Sequence, residues 1–260
     1  MSEIQPIVFS APFGNYLGGA GITSTLGTFT REFRAGFAKR VWRIVKTVRY
    51  SPLFDAWVNK LGLPNPGIDA ALAPAAQSRL QGRLLSIHGF NTSDWLALID
   101  RVASGVTGAA TGSGPLGLEL NVSCPNVKDD PLDYAAVFAR AVQTPWPVVV
   151  KLPPVAWRGI ASAALDAGVR VLHCCNTLPV ARGGMSGKPL QSITLRVIDE
   201  VRSTWPDAGL RIIGGGGVTG RADVQRYRDA GASHVAIGSA LFFPWMAGRF
   251  RRIARELAVQ

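Results

Sequence analysis

Several polar side chains fall where short apolar runs end. In Gly117–Val122, period-two alternation sends Leu118, Leu120 and Val122 to one face and Glu119 and Asn121 to the other. The run Val148–Leu152 carries Lys151 as its last residue on the inner side, and Val169–Cys175 is followed by Asn176 and Thr177. A buried amide left unpaired costs about 1–3 kcal/mol. Convergence of these groups on one place therefore points to a polar ligand, the alternative being an internal hydrogen-bonded network. Cys124 follows directly, in Asn121-Val122-Ser123-Cys124-Pro125-Asn126. An unperturbed thiol, with a pKa of about 8.5, is close enough to neutrality to exchange a proton. A lone cysteine is otherwise a small buried hydrophobe, which is the reading for Cys174 and Cys175.

Two glycine-containing turns suit an anion. Gly214–Gly217 leaves bare backbone N–H groups free to point at a phosphate, and Gly238-Ser239-Ala240 opens a short helical turn whose N-terminus has the same preference. Each turn alone is weak evidence, but both follow consecutive apolar runs near the end of the chain.

The elements that must hold these groups are eight apolar, β-branched runs: Ile7–Ser10, Gly21–Thr25, Arg83–His88, Gly117–Val122, Val148–Leu152, Val169–Cys175, Leu210–Gly214 and Ser233–Gly238. Near-continuous apolar runs suit parallel strands buried on both faces. Segments 131–143, 156–167, 188–204 and 220–230 have helical spacing. Thr92-Ser93-Asp94 and Thr219 read as helix caps. Eight β/α units in series predict a (β/α)8 TIM barrel of the α/β class, a single domain over 1–260, with function at the carboxyl ends of the strands. The first helix is expected to be missing or vestigial. A long insertion, 26–82, follows the second strand, as lids and binding loops do. Ser86 and His88 point inward and could line the pocket, whereas His173 and His234 read as structural.

Within the insertion, Phe33, Phe37, Val41, Ile44, Val45 and Val48 recur at helical spacing among Arg34, Lys39, Arg40, Arg43, Lys46 and Arg49. The apolar stripe is expected to pack on the barrel. The other readings of 31–49 are contact with an anionic membrane, with nucleic acid, or steering of an anionic substrate. The formal charge of +11 would attract phosphates. The three cysteines form neither a disulfide framework nor a spacing suited to zinc or iron–sulfur centres. With no signal-peptide pattern at the start and no apolar run of ~18 residues, a cytoplasmic location is expected.

Taken together, the segment Asn121–Asn126 (NVSCPN), Lys151-Leu152-Pro153, Asn176-Thr177, Gly183–Gly187 (GGMSG), Gly214–Val218 and Gly238–Ala240 resembles the dihydroorotate dehydrogenase family. Asn59–Gly67 looks like that family's NxxGLPNPG substrate loop, and the resemblance runs from about residue 57 to 245. It implies FMN across the barrel mouth, its phosphate held by Gly216, Gly217, Gly238 and Ser239, with Gly187 beside the cofactor. Lys151 would lie near the N1–O2 edge of the isoalloxazine. Asn59, Gly62, Leu63, Asn121, Asn126, Asn176 and Thr177 would contact the pyrimidine or flavin. Cys124 would remove the C5 proton of dihydroorotate while hydride leaves C6 for flavin N5, which places the chain with the soluble, cysteine-base branch. That branch suggests a homodimer and an external electron acceptor.

One departure bears on the substrate. Ser24, in Ile22-Thr23-Ser24-Thr25, stands where the family has a lysine close to flavin and the orotate carboxylate. Either an arginine of the insertion replaces it or the substrate is another dihydropyrimidine. Other readings are a barrel reductase acting on tRNA dihydrouridine, a flavin-binding barrel without dehydrogenase activity, and an aldolase or isomerase that uses only the phosphate site.

Overall fold

The structure, a computed structural model, describes residues 3–108, 114–125, 131–206 and 209–258. Eight parallel strands close a barrel: β1 (Ile7–Phe9), β2 (Ile22–Phe29), β5 (Leu84–Ile87), β6 (Gly117–Leu120), β7 (Val148–Leu152), β8 (Val171–Cys174), β11 (Arg211–Gly215) and β12 (His234–Ile237). β12 pairs back onto β1, placing Val235 opposite Ile7. All eight expected strands are present, as is the (β/α)8 architecture.

The pleat divides each strand between two environments. Outward residues such as Ile87, Leu118, Leu120 and Val150 join Trp95, Leu98, Phe138 and Ile198 of the surrounding helices in one continuous apolar layer. Inward, Val8, Leu84, Val149, Val171, Ile213 and Ala236 plug the lower barrel. Two residues further along, the same faces carry Ser86, Lys151 and His173, joined by Glu119 of β6. Alternation thus stacks a polar layer directly above an apolar plug.

The outer helices are α4 (Thr92–Gly105), α5 (Tyr134–Ala141), α6 (Arg158–Asp166), α7 (Lys188–Thr204), α8 (Arg221–Asp229) and α9 (Trp245–Leu257). None of the described helices is long and apolar enough to cross a membrane. The α4 cap is Asn91, one residue before the expected trio, and its side chain accepts from Asp94 N. Thr219 does not cap α8; its hydroxyl donates to Asp223, whose carboxylate also accepts from Thr219 N.

The second strand differs from expectation. β2 runs on to Phe29, four residues past the expected end, through an irregularity between Leu26 and Phe29. Gly27 has φ +108°, and a Cβ there would lie 2.4 Å from Ser86 O. The side-chain amide of Asn15 holds this kink, donating to Gly27 O and accepting from Gly27 N. Asn15 itself belongs to a 3-10 turn, Phe13–Asn15, which stands where the first helix was expected to be missing or vestigial.

The insertion forms helices α1 (Phe37–Thr47), α2 (Ile68–Leu72) and α3 (Pro74–Gln77) and a hairpin, β3 (Arg49–Ser51) and β4 (Ala56–Asn59). β4 pairs with β10 (Gly183–Gly187), itself paired with β9 (Leu178–Val180), giving a second sheet at the barrel mouth. Among the described residues of α1 itself, the expected packing of the apolar stripe on the barrel is not found. Val41, Trp42, Ile44 and Val45 are exposed. Beneath α1 lies the loop 59–62, which offers carbonyls rather than apolar surface: Leu61 O accepts from Arg43, and Gly62 O from Arg34.

Candidate active site

At the carboxyl ends of the barrel strands opens a cavity of about 680 Å³, within the range of small-ligand sites. Its wall includes Cys124, Asn121, Lys151, Asn176, Thr177, Asn59, Gly62 and Leu63. Gly216, Gly217, Gly238 and Ser239 line the same space. Gly187 stands behind this wall, where a Cβ would meet Asp55 O at 2.4 Å, and Ser186 faces the cavity in its place. Asn126 lies outside the described residues.

A relay of hydrogen bonds crosses the mouth. Thr28 and Ser86 hydroxyls lie 3.0 Å apart, and Asn121 Nδ2 donates to Thr28 Oγ1 at 3.1 Å. Asn176 Nδ2 donates to Asn121 Oδ1 (2.7 Å) and Ser123 O (3.0 Å), and Ser123 Oγ donates to Lys151 O. Four barrel strands and the segment carrying Cys124 are thereby locked together. Both amides serve this network while Asn121 and Asn176 also remain in the cavity wall, so the internal and ligand-facing readings of the sequence coexist.

Below the relay sits a buried ionic cluster. Glu119 Oε2 is 2.8 Å from His173 Nδ1, both inaccessible to solvent. Burial disfavours the Glu119 charge, but the Lys151 cation, the hydrogen bonds from His173 and Ser86, and the field of His173 outweigh it and hold the carboxyl at about 2. Burial, with Lys151 nearby, lowers the His173 imidazole below its ordinary value. Glu119 is therefore ionised and His173 neutral, donating through Nδ1. His173 also lines the cavity, a position that its reading as a structural residue missed. His88 is fully buried with Nδ1 2.6 Å from Asn121 O and braces the strand below the cavity wall.

The segment Asn59–Gly67 is set by Asn65, which is buried. Its Oδ1 accepts from Thr30 N and Gly67 N, and its Nδ2 donates to Leu63 O and Thr30 Oγ1. Ser24 is buried, its hydroxyl donating to Leu17 O at 2.8 Å. Among the described residues, the insertion's arginine in the cavity wall is Arg79, which donates to Asn15 O. Neither Asn15 nor Arg79 stands out in the sequence, because only the fold brings them to the mouth.

The family model for dihydroorotate dehydrogenase matches residues 16–259. This chain belongs to the dihydroorotate dehydrogenase family. Among its relatives, the catalytic subunit of dihydroorotate dehydrogenase B (NAD(+)) from Latilactobacillus sakei is 31% identical, over 93% of this chain and 84% of the relative. Dihydroorotate dehydrogenase A (fumarate) from Lactobacillus helveticus is 30% identical, over 80% and 73%. The ligand-free dihydroorotate dehydrogenase of Eimeria tenella superposes with a TM-score of 0.72 at 19% identity, covering 95% of this chain and 82% of that one, a likeness of fold. Membership makes this an oxidoreductase of CH–CH groups in a family of flavoproteins that serves pyrimidine synthesis.

Proposed function

We propose that this dehydrogenase holds FMN across the barrel mouth and oxidises dihydroorotate to orotate, with Cys124 as the base. The observation that carries the reading is the placement of Cys124, Lys151 and the two glycine turns in the wall of one cavity. The residues fit an FMN phosphate: Gly216 and Gly217 both have positive φ, and at Gly238 a Cβ would stand in open space. The space at Gly238 is thus a cradle that a side chain would fill, with main-chain N–H groups of Gly216, Gly217, Gly238 and Ser239 as donors. The bound flavin supplies the acceptor for the hydride that leaves C6 of the substrate.

The chain's own groups do the rest. The Cys124 thiolate takes the proton from C5, and the wall around it limits the orientations in which substrate can present that carbon. Lys151, with the ionised Glu119 as its charged neighbour, would place a cation where negative charge develops on the ring system. Asn59, Asn121, Asn176 and Thr177 offer amide and hydroxyl groups to the pyrimidine edges, with Gly62, Leu63 and Asn126 completing the substrate side. Electrons then leave to an external acceptor.

The Ser24 hydroxyl is spent on Leu17 O, and that favours a second reading for the substrate alone. Arg79 is the insertion's cation at the cavity; without its help at the carboxylate, a dihydropyrimidine lacking that group fits better. Purified protein is expected to be yellow, and dihydroorotate should bleach the band near 450 nm without oxygen. A colourless protein that takes up no FMN sinks the proposal. Bleaching by another dihydropyrimidine but not by dihydroorotate selects the second reading.

A further inference from the structure

Helix α1 leaves much of its apolar face uncovered. Val41, Ile44 and Val45 recur at helical spacing with Trp42 beside them. The opposite edge attaches the helix to the barrel: Arg43 Nη1 donates to Leu61 O at 2.9 Å, and Arg43 and Thr47 are half-buried. Val45 is 71% exposed and Trp42 56%. The hairpin turn that follows adds Leu53, 84% exposed, and Phe54. Scattered apolar residues on a surface are ordinary, but a run along one helix face and the next turn marks a surface that is covered in use.

The charge of the segment says by what. Residues 33–54 contain Arg34, Lys39, Arg40, Arg43, Lys46 and Arg49 and no Asp or Glu, so six of the net eleven positive charges lie here. Lys39, Lys46 and Arg49 are exposed, and the Lys46 ammonium lies 4.5 Å from the Trp42 ring centroid. A second copy of this face would bring like charges together. A neutral apolar partner would leave the cations without counter-charge. An anionic bilayer satisfies both parts, taking the apolar side chains into the acyl boundary and the lysines among the phosphates.

We propose that α1 and the β3–β4 turn seat this protein on an anionic phospholipid surface. Ile44 belongs both to the exposed face and to the cavity wall, so seating brings one edge of the cavity mouth to the bilayer. This stands independently of the substrate and the cofactor.

The test is co-sedimentation of the full chain with vesicles of phosphatidylcholine alone, or of phosphatidylcholine and phosphatidylglycerol in equal amounts. Wild type is expected to pellet with the mixed vesicles and to be released as salt rises. Val45→Glu and Trp42→Glu, both at exposed positions, should weaken binding by roughly tenfold or more with the melting temperature unchanged. Equal partition of wild type and both variants, or no preference for phosphatidylglycerol, overturns the proposal. So does a dimer, seen by sedimentation velocity, that Val45→Glu dissociates while neither protein pellets with vesicles, since that assigns the face to a second copy.

Discussion

His173 Nδ1 lies 2.8 Å from Glu119 Oε2 in the closed centre of the barrel, and both side chains have Lys151 as their charged neighbour. The two groups respond to acid in the same sense. Each holds its proton less readily in the fold than in the unfolded chain, so the unfolded state gains protons first as pH falls. Stability should decline below about pH 6.5 as unfolded His173 becomes charged, and more steeply below about 4.5, the ordinary Glu119 value, until pH reaches about 2. Glu119→Gln should flatten the steeper part, leaving what Asp223, also held well below the ordinary carboxylate range, contributes. Urea midpoints between pH 8 and about pH 2 measure both; an unchanged slope in the variant would show that another carboxyl governs the acid limb.

The same cluster predicts non-additivity. Lys151→Met leaves the buried Glu119 carboxylate without its cationic neighbour and should destabilise by about 1–3 kcal/mol. Adding Glu119→Gln removes that stranded charge and should recover a large part of the loss. Chemical denaturation of both single variants and the double variant completes the cycle. A double variant as unstable as the sum of the singles would separate Lys151 from Glu119.

Cys124→Ala removes the proposed base and little else. It should retain flavin yet lose reduction by substrate by at least about a hundredfold, read from the rate of bleaching near 450 nm. Undiminished bleaching would assign the proton to another group.

Asn65 makes four hydrogen bonds that hold residues 63–67 against Thr30. Asn65→Ala leaves Thr30 N and Gly67 N without an acceptor and should cost about 2–4 kcal/mol. With Leu63 in the cavity wall, KM for the substrate should rise more than kcat falls. A lowered kcat with KM unchanged would mean that the loop does not touch the substrate.

The barrel was legible because each strand is an apolar run of the right length, and the polar layer because Glu119, Asn121 and Lys151 interrupt those runs on the inner beat of the pleat. The end of β2 was not, since Gly27 breaks the alternation and only Asn15, twelve residues earlier in the chain, repairs it. Helical spacing found α1 but could not say which face meets the barrel; that depends on the carbonyls of Leu61 and Gly62, which no periodicity reports. The position of Ser24 marked a lost lysine, but the bond to Leu17 O needed the fold. The sheet at the mouth joins segments more than a hundred residues apart, and pairing across such a separation leaves no local pattern.

That sheet couples two parts of the mouth that are distant in the chain. β4 carries Asn59 from the insertion, β10 carries Ser186 from the segment before α7, and the four register pairs from Gly184–Asn59 to Gly187–Ala56 bind them into one ladder. Neither segment can lift from the cavity without carrying the other or breaking that ladder. The two segments therefore act as one piece of the cavity rim. An exchange of the insertion between relatives will transplant its specificity only if the matching β10 segment travels with it.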